Sequence, residues 1–526
     1  MTILPKPITY TSANGVYTLP SSQVKVDYHD FTADCISVFS VRTGHKLMKS
    51  SADECHISID KNLKFRAEEY EIVINERGIK IEASTENSVV MAFTTLYQLM
   101  DKEGKLSFCH IHDEPRYAHR GLSLDCARQF FSISDLKNII EQMSRVKLNT
   151  LHWHLSNDQA WRIESKRFPK LHQLYGAEIY KQTEITEIVE YASVRGIKVV
   201  PEINTPGHAI GILAAYPEHS CSGKEVKPAL YGGVYATVLC PGNEKTYRFM
   251  EELFAEICPL FPSSHFHIGG DEVPKHEWVK CEYCQNKIKE QNLKNEIELQ
   301  GYFSNRIIAM IGKHNKQAIS WNDSLEAENF NRDATIQYWT VQYEDSMPAF
   351  IEKGGKIVYS EMFSFYFDYP VSMTPLKRVY QDALEILGKD CSDAIIGIEA
   401  CLWAEHIRDA NRLGELLFPR LYAVAERAWS SQCDYADFIE RLSRFMAFCH
   451  DEKVSHTPQA GWDPIGESRQ QETLKHMGIM AKAMPQEVRD ETMSNISLND
   501  TFQAKFSQCF FNVNEDKFIL EQMNNA

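Results

Sequence analysis

The run His267-Ile268-Gly269-Gly270-Asp271-Glu272 carries the densest chemistry in the chain. Phe266 and Ile268, apolar and β-prone, lead into it, two glycines permit a tight turn, and two adjacent carboxylates follow. Isolated surface acids are solvated and do little. Acids delivered to the tip of a strand on a Gly-Gly turn sit on a rigid rim, where acid–base chemistry is commonly built. The same six residues also suit a metal site or a plain turn, so their neighbourhood has to decide.

From His119 the chain alternates strand and helix. Strands are predicted at Gly121–Asp125, Thr150–Leu155, Lys198–Ile203, His265–Gly269, Ala318–Trp321, Thr335–Trp339, Lys356–Ser360 and Ile395–Glu399. Helices between them include Ser134–Lys147, Glu184–Gly196, Lys245–Cys258 and Asn295–His314. Eight strands joined by crossovers over about 300 residues fit a (β/α)8 barrel better than an open sheet. The short connection from Asn322 to Ala334 leaves one outer helix reduced or missing. Before the barrel, Tyr70–Ala83 reads as a hairpin and Val89–Met100 as a helix, with His110 and His112 as linker residues. The expected fold class is α/β: an N-terminal α+β accessory domain (1–112), a TIM barrel catalytic domain (113–430) and a helical, polar C-terminal extension (431–526).

Active sites of such barrels lie at the C-terminal ends of the strands. Asp125 and Arg128 follow strand one, Asn157, Asp158 and Trp161 strand two, Asn204 and His208 strand three. Asp271 and Glu272 follow strand four, Trp321 and Trp339 strands five and six, Tyr366 and Asp368 strand seven, and Glu399, Trp403 and Glu405 strand eight. Aromatic walls, carboxylates and one arginine suit a neutral sugar, whose C–H faces stack on indole and whose hydroxyls bond to acids and guanidinium. A phosphate would need more basic groups than Arg128 and Arg162. His152, His154, His208 and His267 leave a metal site open, although His152 and His154 read better as barrel-interior residues. Glycosidases usually place two carboxyls across the scissile bond, which adjacent residues can hardly do. One acid can protonate the leaving oxygen while its neighbour serves a nucleophile within the substrate, such as a 2-acetamido carbonyl.

A formal net charge of -16 argues against nucleic acid or an anionic membrane as partner. The N-terminus lacks an apolar secretory core and no run has transmembrane length, so a cytoplasmic location is expected, with export only if a leader is missing. The 14 cysteines then read as mostly free, buried thiols. Cys281 and Cys284 form a CxxC without a second pair at zinc-finger spacing, so no structural zinc is expected.

HxGGDE at 267–272 resembles the signature of glycoside hydrolase family 20, the exo-acting β-N-acetylhexosaminidases. The likeness extends through PRYAHRGLSLDCAR (115–128), HWHLSNDQAWRIE (152–164), PEINTPGHA (201–209), YFDY (366–369), EACLWAE (399–405) and FPRLYAVAERAWS (418–430). It implies Glu272 as general acid/base, Asp271 as the acid that holds the acetamido group, and His208 as a histidine relayed to the catalytic glutamate. It also implies sugar binding by Arg128, Tyr366, Asp368 and Glu405, between walls formed by Trp321, Trp339 and Trp403. Two departures stand out, because Asn157 and Asn204 occupy positions where the family commonly has Asp and where those acids tune the His208–Glu272 network. Asp158, beside Asn157, is counted with the substrate-binding residues and is a candidate to compensate.

The expectation is a retaining exo-β-N-acetylhexosaminidase that removes terminal β-linked GlcNAc or GalNAc through an oxazolinium intermediate, without metal or cofactor. A homodimer is compatible with it. The alternatives are an N-acetylhexosamine-binding protein that lost turnover on the same fold, and a metal-dependent hydrolase using the rim histidines.

Overall fold

The structure is a computed structural model that describes residues 3–451, 453–496 and 498–510. The remainder of the expected C-terminal extension, beyond residue 510, lies outside the described residues.

Alternation of apolar and polar residues builds the N-terminal unit. Tyr70–Asn75 buries every second side chain and pairs antiparallel with Gly78–Ala83, the predicted hairpin. It sits inside a mixed seven-stranded sheet in the order Thr9–Thr18, Lys105–Asp113, Tyr70–Asn75, Gly78–Ala83, Ile57–Lys61, Gln23–Asp27, Lys46–Lys49. Helix Glu86–Leu99, capped by the Thr85 hydroxyl, and helix Asp34–Thr43 contribute Phe93, Leu96 and Phe39 to the core on one side of this sheet. His110 and His112 are not linker residues. They belong to the strand Lys105–Asp113, whose Leu106, Cys109 and Ile111 are buried while the histidines take the outward positions.

Eight parallel strands then close a barrel: His119–Asp125, Thr150–His154, Lys198–Glu202, His265–His267, Gln317–Trp321, Thr335–Tyr338, Ile357–Tyr359 and Ile395–Leu402, the last pairing with the first. Strand one is buried along its whole length, as a barrel stave covered on both faces must be. Helices Ile133–Arg145, Gln182–Ser193, Glu244–Ile257 and Glu296–Gly312 lie close to their predicted spans. After strand five there is only a short 3₁₀ turn, Asn322–Glu326, so the outer helix is missing as expected. Strand four is shorter than predicted and leaves the sheet at His267. Gly269 and Gly270 just beyond adopt left-handed backbone, which turns the chain away although the Gly269 carbonyl still accepts from Trp321.

The C-terminal extension is helical, as expected, yet it is not merely a polar appendage. Helices Gly466–Lys482, Gln486–Asn495 and Asp500–Phe510 lie against the C-terminal rim of the barrel. Phe502 and Phe506 pack on Phe363 at 5.7 and 6.3 Å, Asn495 donates to the Val234 carbonyl at 2.7 Å, and Lys505 pairs with Glu361 at 3.3 Å.

A buried polar knot joins the sheet domain to the barrel. Asp113 accepts from Lys147 at 2.9 Å, Tyr70 at 2.6 Å and Trp429 at 2.8 Å. Lys147 is fully buried, and its ammonium also stands over the Trp429 ring. Burial lowers the Lys147 pKa, and Asp113 opposes that shift. Removing one partner leaves the other charge uncompensated, at a cost of roughly 3–5 kcal/mol. Lys147→Met is therefore expected to lose about that much in chemical denaturation, and Asp113→Leu added to it should recover a large part. A single variant within about 1 kcal/mol of wild type would show that the knot does not hold the domains.

Candidate active site

The turn after strand four divides two adjacent carboxylates between two environments. Gly269 and Gly270 have φ of 76° and 101°, and Glu272 itself has φ 48°. A Cβ on Gly269 would lie 1.8 Å from the Asn204 side chain, so the turn admits no other residue there. Both acids line the cavity, but the Asp271 side chain is 12% exposed and accepts from Asn204, while the Glu272 side chain is 29% exposed. The Glu272 N–H donates to Asp323 at 3.0 Å, and Asp323 also accepts from the Trp339 indole at 2.7 Å. Burial, reinforced by Asp271, pushes the Asp323 carboxyl up to about 7. Sequence reasoning missed Asp323, although a polar residue two places beyond the end of strand five satisfied the rim rule.

His208 bridges the third and fourth strands. Its Nε2 lies 3.2 Å from Glu272 and 3.6 Å from Asp271, and its Nδ1 lies 2.8 Å from Asp158. Burial alone would lower its pKa, but Asp158, helped by Glu272 and Asp271, outweighs that and holds it well above the ordinary histidine value. Two expectations change here. Asp158 does not line the cavity as a sugar-binding residue; it is buried behind His208 and accepts the Ile210 N–H at 3.2 Å. Strand two ends at His154, so the pleat no longer dictates where residue 158 points. Asn157 and Asn204 do not touch His208 either. Asn157 faces His154 at 3.0 Å, and Asn204 donates to Asp271 at 2.8 Å.

The remaining rim residues enclose a cavity of about 260 Å³ above this pair. Trp321, Trp339, Tyr366 and Trp403 form its walls, and Arg128, Asp368 and Glu405 its far end. Trp339 and Tyr366 are nearly parallel, 9° between planes, and Trp403 meets Tyr366 at 65°. Arg128 pairs with Asp125 at 3.1 Å and Glu405 at 3.0 Å. Burial opposes its charge, but Glu405 and Asp125 prevail and keep it cationic. Asp368 is pushed up to about 8 by burial and by Glu405, and its Oδ1 has no hydrogen-bond partner among the described residues. A carboxyl with a raised pKa that lines a pocket accepts from a hydroxyl and, when protonated, also donates to one. Gly232, Gly233, Met480 and Met484 are among the other lining residues, and nothing in their spacing marks them in the sequence.

Glu399 is not at the mouth, contrary to its predicted rim position. It lies inside the barrel, bound by His119 at 2.7 Å, His152 at 2.8 Å and Gln337 at 2.8 Å. The other interior acid, Glu202, faces His152 at 3.0 Å, His267 at 3.2 Å and the Trp321 indole at 3.0 Å. A metal at His152, Glu202 and His267 would first have to break these pairs. The layer is a charged floor beneath the pocket.

Two family models match this chain: glycosyl hydrolase family 20, domain 2, over residues 1–114, and the family 20 catalytic domain over residues 117–432. A beta-hexosaminidase of Porphyromonas gingivalis is 33% identical over 84% of this chain and 62% of its own length. One of Akkermansia muciniphila is 30% identical over 69% of this chain and 79% of its own. A solved beta-N-acetylhexosaminidase of Bacteroides fragilis superimposes with a TM-score of 0.79 at 27% identity, covering 87% of this chain and 97% of that one. A Vibrio harveyi exo beta-N-acetylglucosaminidase in complex with N-acetylglucosamine gives a TM-score of 0.77 at 27% identity, covering 88% and 79%. The chain thus spans less than two thirds of the Porphyromonas relative, while the catalytic-domain match covers more than half of the chain. The chain belongs to glycosyl hydrolase family 20.

Proposed function

We propose that this protein is an exo-acting, retaining β-N-acetylhexosaminidase that removes terminal β-linked GlcNAc or GalNAc by substrate-assisted catalysis. The observation that carries the reading is the split environment of Asp271 and Glu272. Glu272, partly exposed at the mouth and 3.2 Å from the His208 imidazole, is placed to give a proton to a leaving oxygen and later take one from water. Asp271 is buried, and its pKa is raised by burial first, with Glu202 and Glu272 adding and His208 opposing. A carboxylate held in this way is stabilised most by positive charge that develops beside it, as on an acetamido group closing to an oxazolinium. The Trp321, Trp339 and Tyr366 walls give the acetamido methyl an apolar slot, and Arg128, Asp368 and Glu405 face the outer hydroxyls. The Vibrio harveyi relative bound to N-acetylglucosamine supports the substrate class. A pure sugar-binding protein has no use for a general acid, which disfavours that alternative. A cytoplasmic location is part of the same proposal.

Glu272→Gln is expected to lose about 10²–10⁴-fold in kcat on substrates with poor leaving groups, and much less on aryl glycosides with acidic leaving groups. Uniform loss across a leaving-group series would remove Glu272 from the acid role.

Asp158→Asn tests the support behind His208. Because the His208 pKa is raised, its pairing with Asp158 stabilises the fold fully below the ordinary histidine value of about 6.5 and is lost as pH rises through the raised value. The variant should therefore be most destabilised relative to wild type near pH 6 and least at alkaline pH. The alkaline limb of its kcat profile should move to lower pH, with KM changing little. Superimposable stability and rate profiles would show that Asp158 does not hold the imidazolium.

A further inference from the structure

Four cysteines distant in sequence meet beside the active-site mouth. Cys221 and Cys240 stand at the ends of a loop whose base is closed by a bridge between Ser220 and Leu239 and by the Cys240 N–H bond to His219. Cys281 and Cys284 flank the start of helix Glu282–Glu290. The Sγ–Sγ separations are 3.7 Å for Cys221–Cys284, 3.8 Å for Cys240–Cys281 and 3.6 Å for Cys240–Cys284, and all four sulfurs lie within 4.8 Å of one another. The CxxC has no second pair at zinc-finger spacing, as read from the sequence, but two more cysteines reach it through the fold. The partners come from a loop, Cys240 being 41 and Cys221 60 residues before Cys281, a spacing that no zinc-finger pattern contains.

These distances discriminate between chemistries. A disulfide needs its sulfurs about 2.05 Å apart. A tetrahedral tetrathiolate zinc, with Zn–S of about 2.3 Å, requires edges of about 3.8 Å. The surroundings suit a closed site, because Val238, Val273, Trp278 and Leu299 bury the cluster and no carboxylate or imidazole belongs to it. Gly242 presses its backbone on the CxxC: a Cβ there would lie 2.2 Å from the Tyr283 carbonyl carbon and 2.3 Å from the Cys284 nitrogen.

We propose that Cys221, Cys240, Cys281 and Cys284 bind one zinc ion as a structural tetrathiolate centre that anchors the 221–240 loop to the segment following Glu272. On binding, each thiol releases its proton to solvent and donates a sulfur lone pair, and nothing is oxidised or reduced. Four protein ligands leave no open position, so the ion takes no part in hydrolysis. Its effect is positional. Gly232 and Gly233, in the middle of the tethered loop, form one wall of the sugar cavity, and Val273, which packs on the cluster, directly follows Glu272.

Full-length protein purified without chelator should contain about one zinc per chain by elemental mass spectrometry. Cobalt(II) exchanged into it should show the visible bands of a tetrahedral thiolate centre. Cys281→Ser/Cys284→Ser should lose the metal and melt at lower temperature. If that variant does not fold, chelation of the wild type followed by hydrogen exchange provides the second reading, with faster exchange across residues 221–240 expected. Zinc below about a tenth per chain, iron in its place, or disulfides among these cysteines in peptide mapping would overturn the metal assignment. Unchanged exchange in the loop after metal removal would overturn the anchoring role.

Discussion

The turn at the tip of the fourth barrel strand is the constraint on which the rest of the site depends. Two glycines in left-handed backbone, locked against Asn204, rotate consecutive carboxylates into different surroundings. Without the rotation Asp271 and Glu272 would be two neighbouring acids on a loop, each solvated. With it, both reach the cavity, one buried against Asn204 and the other partly exposed. The surrounding residues secure that difference: Gln300 holds the Gly270 carbonyl at 2.9 Å, Asp323 holds the Glu272 N–H, and His208 spans both acids. The positive φ at Glu272 and His208 is the strain that such placement costs, met by tight packing around it.

Electrostatics extend the same logic downward. The interior acids Glu202 and Glu399 are saturated by histidines, and burial of Glu399 is outweighed by His152, which holds its carboxyl far below the usual range. Glu202 still contributes to raising Asp271 from below. Burial therefore disfavours the charge on Asp271, and His208, 3.6 Å away, opposes that effect. A substrate that develops positive charge next to Asp271 relieves that condition only as it reacts, the property that distinguishes stabilising a transition state from merely binding a sugar.

Much of this was legible in the sequence. The eight strands are readable from hydrophobic runs bounded by turns, and the rule that barrels carry function at one end collects Arg128, His208, Asp271, Glu272, Trp321, Trp339, Tyr366, Asp368, Trp403 and Glu405 from the sequence alone. What failed shares a cause. Asp158, Asn157 and Asn204 lie where strands have ended, so alternation no longer fixes direction: Asp158 is absent from the cavity lining where it was expected, although its expected compensation for Asn157 holds, because it carries the bond to His208. Glu399 was placed at the mouth although strand eight runs on to Leu402, which sinks it into the interior. The four cysteines and the C-terminal methionines come together only through tertiary folding, which leaves no local spacing to read.

The central claim is that the substrate's own acetamido carbonyl attacks the anomeric carbon while Asp271 stabilises the resulting charge. Its most direct test is hydrolysis of aryl β-glycosides whose 2-acetamido group carries zero, one, two or three fluorines on the methyl carbon. Fluorination weakens the carbonyl as a nucleophile while barely changing the leaving group. The account predicts that kcat/KM falls steeply with each added fluorine, and that the slope flattens in Asp271→Asn. A rate indifferent to fluorination in the wild type would contradict it.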